Sequence, residues 1–458
     1  MERIYIKDLS NFVGQEVIIK GWVDNRRDHG KLIFLDIRDI SGFVQAVALP
    51  NNEETRKKAD NLRPEWIVEI GGQVNERPAK MINPDQENGH LEMSIEKIEV
   101  INKAETLPFD IESAGHEINE EIRLKYRYLD LRRKRLKKNI INRHQVFKFI
   151  RDYLDQEGFV EIETPILSKS TPEGARDYVV PSRIDKGSFY ALPQSPQQYK
   201  QLLMVAGFEK YFQFARCLRD EDTRGDRQPE FTQLDMEMSF VTQEDILSLI
   251  EGMFTEMIKK IYPHKKISQK PWPRLDHTDV MEKYGTDKPD IRKDKNDPNE
   301  LAFCWIVNFP LFEAELTDGH FAPEHHMFTA PKEEDIAKLD TDPALCRSQQ
   351  HDLVLNGYEV GGGSIRIHNP AIQRKIFDLI GFDEKDKQAF EHMLTAFRYG
   401  VPPHGGIAPG MDRLLMILEN EPNIREVMAF PKTGEGRDLM MNSPAEISKE
   451  QLKELGLK

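Results

Sequence analysis

The stretch YFQFARCLRDEDTRGDRQPEFTQLDMEMSFV, residues 211–241, decides how the larger part of the chain folds. Two strand-like arms flank DTRGDRQPE, a segment whose Gly, Asp and Pro are turn formers. On the second arm Thr232, Leu234, Met236 and Met238 alternate with Phe231, Gln233, Asp235, Glu237 and Ser239. A period of two puts Gln233, Asp235 and Glu237 on one face, and by the same rule Arg219 and Glu221 share a face on the first arm. Such a charged sheet surface is costly unless it is solvated or lines a polar pocket. On this hairpin alone both readings stay open.

Further segments extend the picture. HDLVLNGYEVGGGSIRIH (351–368) contains Asn356-Gly357, a two-residue hairpin signal. Counting back from that turn, Glu359 falls opposite Val354, with Asp352 two residues further along the same face. Two carboxylates placed diagonally in this way suit a magnesium–phosphate complex. The glycines 361–363 are expected to let a ligand approach the backbone, and Arg366 follows on the outgoing strand. GGIAPGMDRLLMILEN (405–420) then runs from a glycine-rich loop through Asp412 and Arg413 into an apolar helix. Positive charge in a first helical turn is disfavoured by the helix dipole unless an anion or a π-face uses Arg413.

Toward the N-terminus, five strand-like stretches occur: Val17–Asp24, Leu32–Asp39, Phe43–Pro50, Trp66–Val74 and Leu91–Ile101. Five short strands with one polar stretch, Asn51–Arg63, predict a small Greek-key barrel of the OB-fold kind, whose usual ligand is single-stranded nucleic acid. The expected class is therefore α+β. An N-terminal five-stranded barrel (1–104) and a hinge (105–122, with Pro108) precede a large domain (123–458) built on an antiparallel sheet flanked by helices. That domain opens with RLKYRYLDLRRKRLKKNIINRH (123–144), a basic run that reads as a solvated helix face or, beside the other clusters, as a nucleic-acid contact. From about Leu136 to Glu157, Val146, Phe149, Ile150, Tyr153 and Leu154 share one helical face, and Gly158 stands at the C-terminal cap. A strand, Val160–Glu163, stops at Pro165.

The 458 residues carry 64 Lys+Arg against 78 Asp+Glu, a net charge of -14, too mild and too dispersed for an acidic tail. No apolar run approaches the roughly 20 residues of a membrane helix, and MERIYIKDLS does not read as a signal peptide. Cys217, Cys304 and Cys346 lie far apart without CxxC spacing, against a disulfide framework or zinc knuckle. The expectation is a soluble, cytoplasmic protein of a reducing compartment.

Phe159–Leu167 with Pro165, Phe214–Glu221 with its partner strand, and Gly405–Glu419 resemble, in that order, motifs 1, 2 and 3 of class II aminoacyl-tRNA synthetases. The strings TPEGARDY (171–178), ALPQSPQQYKQLL (191–203), RDED…DRQPEFTQLD (219–235), YEVGGGSIRIHN (358–369) and FPK…GRDLMM (430–441) resemble the bacterial-type aspartyl-tRNA synthetases. So does GWVDNRRDHGKLIFLDIRD (21–39), and the match runs nearly end to end. Class I signatures are missing. The resemblance has one gap: where that family carries an inserted domain between segments like YGTDKPD (284–290) and LAFCWIVNFP (301–310), only IRKDKNDPNE (291–300) stands here.

The resemblance implies ATP-dependent ligation of L-aspartate to tRNA(Asp) through aspartyl-adenylate. It implies Arg219 on the α-phosphate and the aspartate carboxylate, Asp220, Glu221 and Gln228 on the adenine side, and Arg413 stacked on adenine and reaching the γ-phosphate. Gly410, Met411 and Asp412 complete the ATP site, with Asp352 and Glu359 as Mg²⁺ ligands. Lys200 and Arg366 match the pair that holds the β-carboxylate. Glu173, Ser195, Gln197 and Asp235 match positions near the α-amino group, and His325 or His326 a loop that closes on substrate, although a bare His pair also reads as incidental surface. In the barrel Arg26, Phe34 and Gln45 match anticodon contacts; Phe34 alone reads equally as core. A homodimer with motif 1 at its interface is implied.

Two rivals remain. An asparaginyl- or lysyl-tRNA synthetase shares the architecture, but an amide in place of the β-carboxylate is expected to leave Lys200 and Arg366 as unpaired buried charges. A non-catalytic nucleic-acid-binding relative is opposed by the intact Arg219, Glu221, Asp352, Glu359, Arg366 and Arg413. His29, where some members have an apolar residue, points to charging of tRNA(Asn) as well as tRNA(Asp), because imidazole can accept or donate to either pyrimidine edge. A solvated loop residue is the other reading of His29.

Overall fold

A computed structural model describes residues 2–84, 86–170 and 175–457. The chain divides into two compact units, Met1–Asp110 and Ile111–Lys458. In the first, β1 (Glu16–His29), β2 (Leu32–Arg38), β3 (Phe43–Ala48), β4 (Ile67–Glu76) and β5 (Leu91–Asn102) close a barrel in the order β1-β2-β3-β5-β4. Alternation drives the closure: Ile33, Leu35 and Ile37 point inward with Val44, Ala46, Ile70 and Met93. The polar stretch after β3 carries a helix, α1 (Glu53–Asn61), started by Asn52 accepting the Thr55 N–H.

The second unit is built on an eight-stranded sheet. Its elements in chain order are α2 (Lys134–Gln156), β6 (Val160–Glu161), α3 (Gln197–Val205), β7 (Lys210–Leu218), β8 (Glu230–Ser239), α4 (Gln243–Ile261), β9 (Arg274–Asp276), β10 (Phe303–Val307), β11 (Gln350–Leu355), β12 (Tyr358–Ile365), β13 (His404–Pro409) and α5 (Met411–Leu418). The sheet order is β9-β10-β11-β12-β13-β8-β7-β6. Its interior is antiparallel, while the outermost pairs β9/β10 and β6/β7 are parallel, so the sheet is mixed. Val146, Ile150 and Leu154 of α2 are fully buried in one core with Ile246, Ile250 and Phe254 of α4 and Leu234, Met236 and Met238 of β8. That packing gives β8 an apolar side and leaves its acidic side for the site.

The basic run 123–144 is mostly neither a solvated face nor an open nucleic-acid patch. Arg123, Arg127 and Arg133 are buried around Asp130, at 3.1, 2.8 and 2.6 Å, and Arg123 also meets Glu426 at 2.8 Å. Arg135 pairs with Glu421 and Glu426, and Arg143 with Asp412. Apart from Asp130 itself, the acids that neutralise the run lie 269 to 303 residues away in sequence, which is why local composition misleads.

Candidate functional site

β8 supplies the centre of the site. Asp235 and Glu237, on the face expected from their spacing, are buried, so this face lines a polar pocket rather than water. α3 brings Lys200, whose Nζ lies 2.9 Å from Asp235 Oδ2 and 3.4 Å from Glu237 Oε2. Beyond β12, Arg366 grips Glu237 with both edges of its fork, Nε to Oε1 at 3.0 Å and Nη2 to Oε2 at 3.1 Å. Its Nη1 donates to Ser364 Oγ at 2.6 Å and to His326 Nε2 at 2.8 Å. Gly406 makes room for this cluster, since a Cβ there would collide with Glu237.

Electrostatics follow from burial. Removal from water pushes Asp235 up, with Lys200 only partly opposing it. Glu237 feels the same burial, but Arg366 and Lys200 hold it below its ordinary value. Burial and the Arg366 charge bring His325 down to about 3 and hold His326 well down, so both rings are neutral. The charges of Arg366, Lys200 and Arg219, with His351, add to the lowering of His325.

The cluster corrects two expectations. Lys200 and Arg366 are not waiting for a substrate carboxylate as unpaired charges; Asp235 and Glu237 already balance them. The Arg366 fork serves Glu237, and its remaining nitrogen is taken by Ser364 and His326. Glu237 and Ser364 are the neighbours that sequence reading passed over; the period-two face did contain Glu237.

Beside this pocket, Arg219 leaves β7 with its guanidinium 5.2 Å from the Phe231 ring centre. Arg413, in the first turn of α5, contacts Asp226 at 3.1 Å and donates to the Glu359 carbonyl. The buried Arg219 Nε, Arg413 Nε, Gln228 Nε2, Gln197 Nε2 and Asp235 Oδ1 have no hydrogen-bond partner among the described residues. Buried polar atoms of folded proteins are normally paired, so these five are donors and acceptors able to serve a polar ligand. Gln228 Oε1 accepts the Lys432 N–H at 2.8 Å. Glu221 and Asp220 lie toward solvent, near Arg227 and Arg176. Gly410 donates its N–H to Val360, Met411 is buried, and Asp412 is held by Arg143 and the Thr232 N–H, which fixes the start of α5. Ser195 accepts the Gln197 N–H at 3.4 Å and lines a cavity of about 590 Å³ with Asp177, Tyr199 and His392. Glu173 lies outside the described residues.

In the β11–β12 hairpin, Asn356 and Gly357 both have positive φ, and Glu359 stands opposite Val354 as counted from the turn. A Cβ on Gly362 would lie 3.3 Å from Asp352 Oδ1, 3.4 Å from His325 Nε2 and 3.7 Å from Glu359 Oε1. The two carboxylates and the imidazole therefore converge over this one glycine. Gly361 and Gly363 instead make room for Pro409 and Gly406 of β13, so only Gly362 opens toward the site. Burial and the neighbouring Glu359 push Asp352 well up. Two crowded carboxylates favour a cation between them. Among the described residues no group of three or more His, Cys, Asp or Glu is placed to hold a metal. A cation on Asp352 and Glu359 would thus need substrate oxygens and water, which suits Mg²⁺.

On the outer face of the barrel, exposed His29 packs edge-on against Phe34, with centroids 5.4 Å apart at 85°. Phe34 is half-buried outside the core, next to Arg27, which pairs with Asp36 at 2.8 Å and Gln45 Oε1 at 3.2 Å. Arg26 pairs with Asp60 at 2.8 Å. An aromatic ring among hydrogen-bonding side chains is the equipment of a base-binding surface.

A family model for class II tRNA synthetases (D, K and N) matches residues 119–434, and one for the OB-fold nucleic acid binding domain matches residues 17–101. An aspartate–tRNA(Asp/Asn) ligase of Rubrobacter xylanophilus is 44% identical, covering 97% of this chain and 94% of that protein. An aspartate–tRNA ligase of Staphylococcus saprophyticus is 40% identical, covering 98% and 97%. The first alignment spans 567 positions, more than the 458 residues here, so that relative has stretches without a counterpart in this chain. An asparaginyl-tRNA synthetase structure from Pyrococcus horikoshii, complexed with asparaginyl-adenylate, superposes with a TM-score of 0.76 at 24% identity, covering 98% of this chain and 99% of that one; the likeness is one of fold.

Proposed function

The chain belongs to the class II aminoacyl-tRNA synthetases of the aspartate, lysine and asparagine group, and from that premise we propose that it ligates L-aspartate to tRNA(Asp), and also to tRNA(Asn). The observation that carries the reading is the buried Lys200–Asp235–Glu237–Arg366 cluster, together with the Arg219 and Arg413 Nε atoms, which have no hydrogen-bond partner among the described residues. In the first step an aspartate α-carboxylate oxygen attacks the α-phosphate of ATP and pyrophosphate leaves. Arg219 holds the α-phosphate and α-carboxylate together, Arg413 and Gln228 orient the nucleotide, and Asp235 and Gln197 receive the α-amino end. Rate comes from this positioning and from charge placed where the transition state needs it. Asp352 and Glu359 would hold Mg²⁺, which would supply neutralising charge for the leaving pyrophosphate. The substrate β-carboxylate takes the Arg366 edge that His326 now caps, with Lys200 beside it. The adenylate then passes its aspartyl group to the terminal ribose hydroxyl of tRNA.

Pyrophosphate exchange into ATP should require L-aspartate. Exchange driven by asparagine or lysine, or no exchange with any of the three amino acids, would overturn the assignment; the last result favours the non-catalytic reading.

Charging of tRNA(Asn) rests on His29. The two anticodons differ in their third base, C against U. His29 is exposed beside Phe34, where an imidazole can meet either pyrimidine. Wild type is expected to aspartylate both transcripts, and His29→Leu to shift preference toward tRNA(Asp) by about 10- to 100-fold, the scale of one base contact of about 1–3 kcal/mol. A strong wild-type preference for tRNA(Asp) that His29→Leu leaves unchanged sinks the idea.

The homodimer belongs to the same reading. Val160, Ile166 and Leu167 of motif 1 are 45%, 47% and 54% exposed, an apolar edge suited to a second copy. Sedimentation at micromolar concentration should give the dimer mass, and a monomer refutes it. No helix among the described residues is long and apolar enough to cross a membrane, in keeping with a cytoplasmic site of action.

A further inference from the structure

Lys288, in the segment before the short bridge 291–300, has no role in the chemistry above. Its ammonium lies 3.3 Å from Glu359 Oε2 and 3.8 Å from Asp287 Oδ2, about one third exposed. The segment that carries it is fixed on both sides. The Lys288 N–H donates to Thr286 Oγ1 at 3.2 Å, and Asp290 is held by both edges of Arg292 at 3.0 and 2.7 Å. Asp290 also packs against the hairpin turn, 3.4 Å from where a Cβ on Gly357 would lie. The ammonium is therefore held at the carboxylate expected to take the nucleotide's cation. Resting on that reading of Asp352 and Glu359, we propose that Lys288 is the resident counter-ion of Glu359 and is exchanged onto the triphosphate when Mg·ATP binds.

The physical case is competition for one anion. An ammonium ion and a divalent cation repel each other strongly at one carboxylate, so entry of the second displaces the first. Glu359 and Asp287 both add to the rise that burial gives Asp352, opposed by a hydrogen bond from Gln350 and by the charge of Lys288. A lysine has a flexible four-carbon stem and acts as a point charge toward phosphate. Once released, its nearest uncompensated anion is the triphosphate or, after reaction, pyrophosphate. Lys288 thus offsets part of the charge of the acidic site and moves to the leaving group when Mg·ATP binds.

The two halves of the exchange predict shifts of opposite sign. Lys288→Met keeps the stem volume and removes the charge. Mn²⁺ binding to the ligand-free enzyme, followed by electron paramagnetic resonance, should tighten by about tenfold, the effect of one charge a few ångströms away in a partly solvated site. KM for ATP in pyrophosphate exchange should rise by a similar factor while kcat changes little. A merely structural lysine would weaken both or move neither, and Lys288→Arg should restore the wild-type pattern in both assays. Mn²⁺ binding lost in Glu359→Gln yet equal in wild type and Lys288→Met overturns the exchange alone. Equal binding in wild type and Glu359→Gln overturns the acidic-pair reading and the exchange with it.

Discussion

Arg366→Ala is expected to cut kcat/KM for L-aspartate in pyrophosphate exchange by about a thousandfold, while ATP binding measured alone survives. Truncating one partner of a buried, hydrogen-bonded charge pair costs about 2–5 kcal/mol, and each 1.4 kcal/mol is about tenfold. Two losses combine at this residue. On the proposed reading the substrate loses the cation facing its β-carboxylate, and Glu237, fully buried, loses both bonds to the guanidinium and is left with Lys200 at 3.4 Å. Arg366→Lys retains a charge but can offer Glu237 one bond in place of the fork, so it should recover activity only in part. A matching thermal scan separates the two losses: the lysine variant should stay folded while remaining slow. Near-normal aspartate dependence in Arg366→Ala would remove Arg366 from the pocket.

What could be read before the structure was whatever depends on near neighbours. The barrel strands were legible because inward and outward residues alternate, and the pairing of Glu359 with Val354 because Asn356-Gly357 fixes the register locally. The helix Glu53–Asn61 was hidden in a stretch that reads only as polar; its cap and charged face resemble a loop in composition. The β8 alternation placed Asp235 and Glu237 together, yet periodicity cannot tell a wet face from a pocket. That distinction depends on Lys200 and Arg366, which approach from α3 and from beyond β12. Gly361 and Gly363 were misread for a related reason. A glycine run signals close approach, and only the fold shows that the approaching body is strand β13.

The largest expected effect on stability belongs to Asp130, in the run that composition marks as a basic surface. Its carboxylate is fully buried and receives Arg123, Arg127 and Arg133. Breaking a buried ion pair from one side costs about 3–5 kcal/mol because the remaining charge is left uncompensated. Asp130→Ala would strand three guanidinium groups at once. Each retains other acceptors, Arg123 on Glu426, Arg127 on the carbonyls of Arg425, Met428 and Ala429, and Arg133 on Ser113, which keeps the loss within that range rather than three times it. Asp152→Ala, removing an exposed partner of Lys148 on the same helix, should change little and serves as the control. The acid limit comes from the same network. Glu426 is opposed by its burial, but Arg123 and Arg135 bring it from 4.5 down to about 2. A carboxyl lowered on folding stabilises fully above its unfolded value, and that stabilisation drains away as pH falls from about 4.5 toward 2. Urea midpoints at neutral pH should therefore drop for Asp130→Ala, while acid loss over that interval persists because Glu426 still meets both arginines. An Asp130→Ala midpoint equal to that of the Asp152→Ala control would mean the three arginines are satisfied without the carboxylate, and the network would hold nothing together.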